Sequence, residues 1–319
     1  MNDYLRESFS YFGLYLKMFR AKKEVTPKRV PFGTNKEQYF LYYEPKERKS
    51  DQIIFWVHGG GWNAGNPQFF DFVGQSMARM GYRAVLPGYR LSPKYRYPCQ
   101  IEDVCNGYKA AIRYLKGQGV DTAKVIVSGS SAGAHLSSIL CYCKKVQEKY
   151  HVDVSSIKGY IGIGGPYSFR QDSGKTLKIL LDMLFRKDYD RRNGEPLSLA
   201  GKSSIPMLLI QSRHDGLIPY ACAEEFLRKI KEMGGRGELY SVSDKKNTHS
   251  WYTAGMFLLN RKEFKALDRF YSGIEETEKE ECGTVALENG IISRKALRSR
   301  QQRLRRQKWQ KRKRSYSGD

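Results

Sequence analysis

The chain has 319 residues with 56 Lys+Arg against 33 Asp+Glu, a formal net charge of +23, and is 40% hydrophobic and 13% aromatic. That apolar content can fill a sizeable core and excludes wholesale disorder, and the length fits one large domain or two ordinary ones. The longest apolar runs, such as Ile53–Val57 and Met207–Ile210, are too short to span a membrane, the N-terminus lacks a secretory-signal pattern, and six cysteines without metal-like clustering do not suggest a disulfide scaffold, so a cytoplasmic protein is the expectation.

In chain order, residues 1–24 come first. They place Leu5, Phe9, Phe12, Leu16 and Phe19 at alternating spacings of four and three, which predicts an amphipathic helix. Strands are expected at Gln38–Tyr43, Gln52–Val57, Arg83–Leu86, Lys124–Val127, Gly159–Ile163, Met207–Ile210 and Glu238–Val242. Helical patterns fall between them, at Pro67–Met80, Glu102–Lys116, Ala134–Tyr150 and Tyr220–Met233. This alternation predicts an α/β fold with a mostly parallel, doubly wound sheet flanked by helices. Residues 166–204 interrupt the rhythm and carry Leu177, Leu180, Leu181, Leu184 and Phe185 on one helical face. The compact domain is expected to span residues 1–272, with 273–319 as a charged, partly disordered tail. Within that tail, Arg294–Arg314 holds twelve Lys or Arg and no acid, while residues 1–36 hold eight basic and three acidic side chains. The excess charge is therefore terminal, and the body between is only moderately basic.

The strongest local signal is Gly129-Ser130-Ser131-Ala132-Gly133, directly after an expected strand and before an expected helix. A turn tight enough to present a serine there strains its backbone, and small residues two before and two after leave it room. The second signal is His58-Gly59-Gly60-Gly61-Trp62 after the strand Ile53–Val57. Three consecutive glycines allow main-chain N–H groups to approach a ligand closely, which acyl transfer needs because the attacked carbonyl oxygen becomes an anion. Neither the G-x-x-x-x-G-K-[ST] nor the G-x-G-x-x-G phosphate motif is matched.

A serine nucleophile needs a base, and the base an orienting acid. Among five histidines, His58 belongs to the glycine loop, and His135 lies one turn past Ser131 with its side chain expected to point away. His151 sits in a polar connection, and His214 adjoins the best acid. His249, after the last expected strand and free to lie on a loop above the sheet, is the best base. Asp215 is the best acid, because it alone among Asp188, Asp190, Asp215 and Asp244 directly follows a buried apolar strand. The order Ser131, Asp215, His249 is that of a hydrolase built on such a sheet.

These motifs, with Tyr89-Arg90-Leu91-Ser92-Pro93, Pro98, Glu102-Asp103 and Pro219, resemble the α/β-hydrolase fold esterases that share a His-Gly-Gly-Gly loop. That group comprises the hormone-sensitive-lipase-like carboxylesterases and their kynurenine formamidase-like and bacterial acetyl- or feruloyl-esterase relatives. The similarity runs from about Tyr39 to Phe270. It implies an α/β-hydrolase fold with a small helical cap drawn from the N-terminal helix and the 166–204 insertion. It also implies Ser131 as nucleophile, His249 as general base and then acid, Asp215 as orienting carboxylate, and backbone N–H groups of Gly60, Gly61 and Ala132 as the oxyanion hole. Trp62 and Leu181 are the expected substrate-pocket residues, and Arg90 and Asp103 are expected to be structural partners. No metal or cofactor is implied.

Two alternatives stand beside cleavage of a small carboxylic ester through an acyl-enzyme. One is a formamidase or amidase using the same triad. The other is a non-enzymatic protein that binds a polyanion or an anionic surface through Arg294–Arg314.

Overall fold

The structure, a computed structural model, describes residues 14, 16–18, 20–169, 174–244, 246, 248–259, 267 and 269–274. The expected stripe residues Leu5, Phe9, Phe12 and Phe19 and the basic run at 294–314 lie outside them. The chain divides into two compact units, Met1–Asp268 and Arg269–Asp319. The second is helical where it is described, at residues 269–274.

The first unit is built on one sheet. Its strands are β1 (Lys28–Pro31), β2 (Tyr39–Tyr43), β3 (Ile53–Val57), β4 (Arg83–Pro87), β5 (Val125–Ser130), β6 (Ile157–Ile163), β7 (Met207–Ser212) and β8 (Gly237–Val242). They lie in the order β1-β2-β4-β3-β5-β6-β7-β8. The pairs β1–β2 and β2–β4 are antiparallel, and all the others are parallel. Every residue of β3, β4, β5 and β7 is buried, which is why each carries a run of at least three consecutive apolar residues: crossover helices cover both faces of a parallel sheet.

All seven expected strands are present, and β1 is an additional one. Its sequence, Lys-Arg-Val-Pro, is charged and mostly exposed, as suits the terminal strand of a sheet, where charge and proline discourage further pairing. The crossovers are α1 (Asp71–Met80), α2 (Cys99–Gly117), α3 (Ala132–Tyr142) with α4 (Lys144–Lys149), and α7 (Tyr220–Glu232). The expected single helix 134–150 is thus two. Cys143 is extended at φ −105°, ψ 98°, and the Gln147 side-chain amide donates to the Leu140 carbonyl at 2.9 Å, satisfying an acceptor that α3 leaves open at its end. The insertion before β7 contributes α5 (Lys175–Leu184), a 3₁₀ turn at Arg191–Gly194 and α6 (Pro196–Leu199). After β8 come α8 (His249–Thr253) and α9 (Gly255–Leu259). No helix among the described residues is long and apolar enough to cross a membrane.

One detail of register decides where chemistry can occur. Parallel β3 and β5 pair with Val57 opposite Gly129, so the glycine loop after β3 and the serine turn after β5 leave the same edge of the sheet side by side. β7 and β8 end at that edge too, at Ser212 paired with Val242, which brings the connections holding Asp215 and His249 to the same end. Crevices at the carboxyl ends of parallel strands are where open α/β sheets bind ligands.

Candidate active site

Ser131 occupies a turn that its neighbours force. Its φ of 52° and ψ of −121° lie where a residue with a Cβ rarely sits, a strain on the order of 1–3 kcal/mol that persists only when the surroundings fix it. The Ser131 N–H donates to the Ile163 carbonyl at 2.8 Å, pinning the turn to the end of β6. A Cβ at Gly133 would collide with the Val57 carbonyl, and one at Gly129 with the backbone of Gly133. The two glycines of the motif are thus demanded by close backbone approach on either side of the serine. Ala132 opens α3, so its N–H has no partner within the helix and lies at the positive end of the helix dipole.

The Asp215 side chain is wholly buried and held by five donors. His249 Nδ1–H donates to Oδ2 at 2.7 Å, the Tyr252 hydroxyl at 2.6 Å and Gln211 Nε2 at 3.1 Å, while the backbone N–H groups of Leu217 and Ile218 donate to Oδ1 at 2.8 Å each. Burial, then the nearby Asp215 carboxylate, pushes the Tyr252 hydroxyl well above the usual tyrosine range, so it remains a donor. Tyr252 lies three residues after His249, about one turn along α8, and the histidine spacing in the sequence gave no hint of it. His249 opens α8 and is 4% exposed, so it sits on a short helix rather than on the free loop that the sequence suggested.

Ser131 and His249 line one cavity of about 440 Å³ together with Gly59, Gly60, Gly61 and Trp62. Gly60 and Gly61 have φ of 110° and 57°, and at Gly60 a Cβ would meet the Ala64 carbonyl, so the loop can take this course only as glycine. Much of the remaining wall is apolar, with Leu14, Met18, Phe69, Phe70, Leu177 and Leu180 among its residues, while Asn63, Ser130, Thr176, Ser250 and Thr253 add polar groups. Among the described lining residues, His249 is the one titratable side chain. No Asp, Glu, Lys or Arg is among the described lining residues, so the wall favours apolar groups of a ligand over charged ones.

Of the two expected pocket residues, Trp62 lines this cavity. Leu181 does not; it is packed into the core, and its helix neighbours Leu177 and Leu180 face the space instead. From the N-terminal segment, Leu14 and Met18, four residues apart, line the cavity. Leu16, a member of the expected apolar stripe, is exposed, because two residues along a helix is more than half a turn away.

The remaining motif residues build the support. Asp103 is fully buried and accepts from the Arg90 backbone N–H and Nε, both at 2.8 Å to Oδ2, and from Arg90 Nη2 at 2.8 Å and Gln38 Nε2 at 2.7 Å to Oδ1. The Arg90–Asp103 pair thus ties the turn after β4 to α2. His58 lies flat against Tyr89, with ring centroids 4.2 Å apart, and its Nδ1–H donates to the Gly59 carbonyl at 2.8 Å. Burial lowers its pKa to about 4, so it is a neutral strut beneath the loop and no base. Among the described residues, no group of three or more His, Cys, Asp or Glu side chains is placed to hold a metal ion.

Strand order, serine turn and crossover pattern together define an α/β hydrolase. The family described as BD-FAE matches residues 41–230, more than half of the chain, and the chain belongs to it. This is the esterase group to which the sequence motifs pointed. Among its relatives are esterase LipC of Mycobacterium tuberculosis, 24% identical over 273 residues, which cover 76% of this chain and 66% of LipC. Another is arylacetamide deacetylase of Oryctolagus cuniculus, 39% identical over 104 residues, 30% of this chain and 26% of that protein. The chain thus spans at most about two thirds of the length of these curated relatives. Among solved structures, an inhibited esterase B of Lactobacillus rhamnosis superposes with a TM-score of 0.71 at 17% identity, covering 86% of this chain and 96% of that one. The hyperthermophilic esterase of Pyrobaculum calidifontis does so at 0.69 and 19%, covering 86% and 93%. At such identities the likeness is one of fold.

Proposed function

We propose that the protein is a serine hydrolase that cleaves a small, uncharged carboxylic ester through an acyl-enzyme. The observation that carries this reading is the 2.7 Å His249–Asp215 bond beside a cavity that His249 shares with Ser131, itself held at a positive φ. With Nδ1–H committed to Asp215, Nε2 is the nitrogen left with a lone pair. Ser131 Oγ attacks the ester carbonyl carbon while His249 Nε2 takes the hydroxyl proton. The carbonyl oxygen gains the negative charge and is met by the N–H groups of Gly60, Gly61 and Ala132. Collapse expels the alcohol, which receives the proton from His249, and water repeats the cycle on the acyl group. Asp215 keeps the imidazole in the required tautomer and stabilises the imidazolium, and its four other donors fix its orientation. In this reading the hydrolase domain occupies residues 1–272, and the charged segment after it contributes nothing to the chemistry.

The test is hydrolysis of p-nitrophenyl butyrate, with covalent labelling by a fluorophosphonate. Ser131→Ala is expected to lose at least about 10³-fold in kcat and all labelling. Undiminished turnover in that variant would end the proposal. N-formylkynurenine run beside the ester separates an amidase from an esterase on the same residues.

A further inference from the structure

A hydrogen-bond chain in the cavity wall lies outside the triad. Trp62 follows Gly61 directly and has φ of 62°, a backbone state that a residue with a Cβ keeps only when its surroundings impose it. Two anchors impose it. The Trp62 carbonyl accepts from the Ser92 N–H at 2.9 Å and from Ser92 Oγ at 3.3 Å, and the indole Nε1–H donates to His135 Nδ1 at 3.2 Å. An indole N–H only donates, so His135 Nδ1 must carry the lone pair and Nε2 the hydrogen. Nε2 lies 2.7 Å from the Gly194 carbonyl, which only accepts. The directions agree along the whole chain, and they agree only for the neutral imidazole. Burial lowers the pKa of His135 to about 4 and so preserves that form. The ring is enclosed by Phe169, stacked at 5.6 Å, and Tyr97 at 6.4 Å. Gly194, the distal partner, closes the 3₁₀ turn of the 166–204 insertion, where a Cβ would press 2.6 Å against the Phe185 ring.

On the esterase reading above, we propose that His135 is a positioning residue for the oxyanion hole. It fixes the Trp62 indole and, through Trp62, the peptide planes of Gly60 and Gly61, and it ties that loop to the 166–204 insertion through Gly194. A loop held this way matters most when charge develops on the carbonyl oxygen. Its loss therefore falls on kcat and spares KM.

Two polar replacements of similar size separate positioning from mere filling. In His135→Asn, Oδ1 takes the place of Nδ1 and still accepts the indole N–H. In His135→Gln, the longer amide reaches Gly194 but presents no acceptor to Trp62. With p-nitrophenyl butyrate, His135→Gln is expected to lose about 10- to 100-fold in kcat with KM within about 3-fold, a scale set by the 10²–10³ typical of deleting an oxyanion donor outright. It loses affinity for butylboronic acid, which forms a tetrahedral adduct on the serine oxygen, by a similar factor. His135→Asn stays within about 5-fold of wild type, and Trp62→Phe adds no further kcat loss in the His135→Gln background. Unchanged kcat in His135→Gln, or equal losses in the two variants, overturns the proposal. If the wild-type protein itself fails to hydrolyse the ester, the reading beneath falls and the proposal with it.

Discussion

Lowering the pH from 7 to 5 is expected to destabilise this protein through two histidines that the fold keeps neutral. His58 and His135 are buried, and burial lowers each from 6.5 to about 4. Below pH 6.5 the unfolded chain takes up a proton at each position and the folded chain does not. Their stabilising contribution is therefore complete above about pH 6.5 and is lost as the pH falls toward 4. The slope approaches about 1.4 kcal/mol per pH unit for each histidine, which gives about 2 kcal/mol each, or about 4 kcal/mol together, between pH 7 and 5. Most carboxylates remain ionised across this window and contribute little. Urea unfolding at pH 7, 6 and 5 at constant ionic strength reads the effect, and for a domain this size the midpoint should drop by roughly 1 M. His135→Asn removes one titrating group and should halve the pH dependence. Stability that stays flat from pH 7 to 5, or a His135→Asn variant with the full wild-type dependence, would refute the reasoning.

Asp103→Asn removes a fully buried charge that faces the partly exposed Arg90, so a stability loss on the order of 3 kcal/mol is expected, seen as a melting temperature lower by roughly 6–12 °C. The kcat/KM of the folded fraction should be unchanged, because this pair braces the turn after β4 and lines no part of the cavity; a catalytic loss without a stability loss would contradict that. In wild type, kcat/KM for p-nitrophenyl esters should rise about 4-fold per added CH₂ from acetate toward hexanoate, as each buries about 0.8 kcal/mol in the apolar cavity. Leu180→Trp, which fills that space, should flatten the series while leaving acetate turnover within about 3-fold; an unaltered length profile would place the acyl group elsewhere.

Much of this arrangement is legible along the chain because it depends on neighbours in sequence. Gly129, Ser131 and Gly133 form the turn within five residues, and the glycine loop follows β3 without a break, so both are visible as short motifs beside apolar runs. The parallel sheet is equally visible, since burial on both faces leaves β3 apolar throughout and β5 and β7 apolar at Val125–Val127 and Met207–Ile210. β1 is not legible for the opposite reason: a mostly exposed terminal strand of four residues has no apolar pattern to read. Leu181 was expected at the cavity because the apolar face of α5 is continuous, and which members of that face meet the core and which meet the cavity depends on what packs against it.

The sequence by itself determined the fold class, the serine turn, the glycine loop and the chain order of Ser131, Asp215 and His249. Tertiary structure decided the partnerships: Asp215 with Tyr252 and Gln211 as well as His249, Trp62 with His135 across 73 residues, and Leu14 and Met18 as cavity wall. Local conformation is set by nearest neighbours and leaves a periodic trace in the sequence. A hydrogen bond between distant residues leaves none, because either partner in isolation is an ordinary polar side chain, and only the crossing of strands and helices brings the two together.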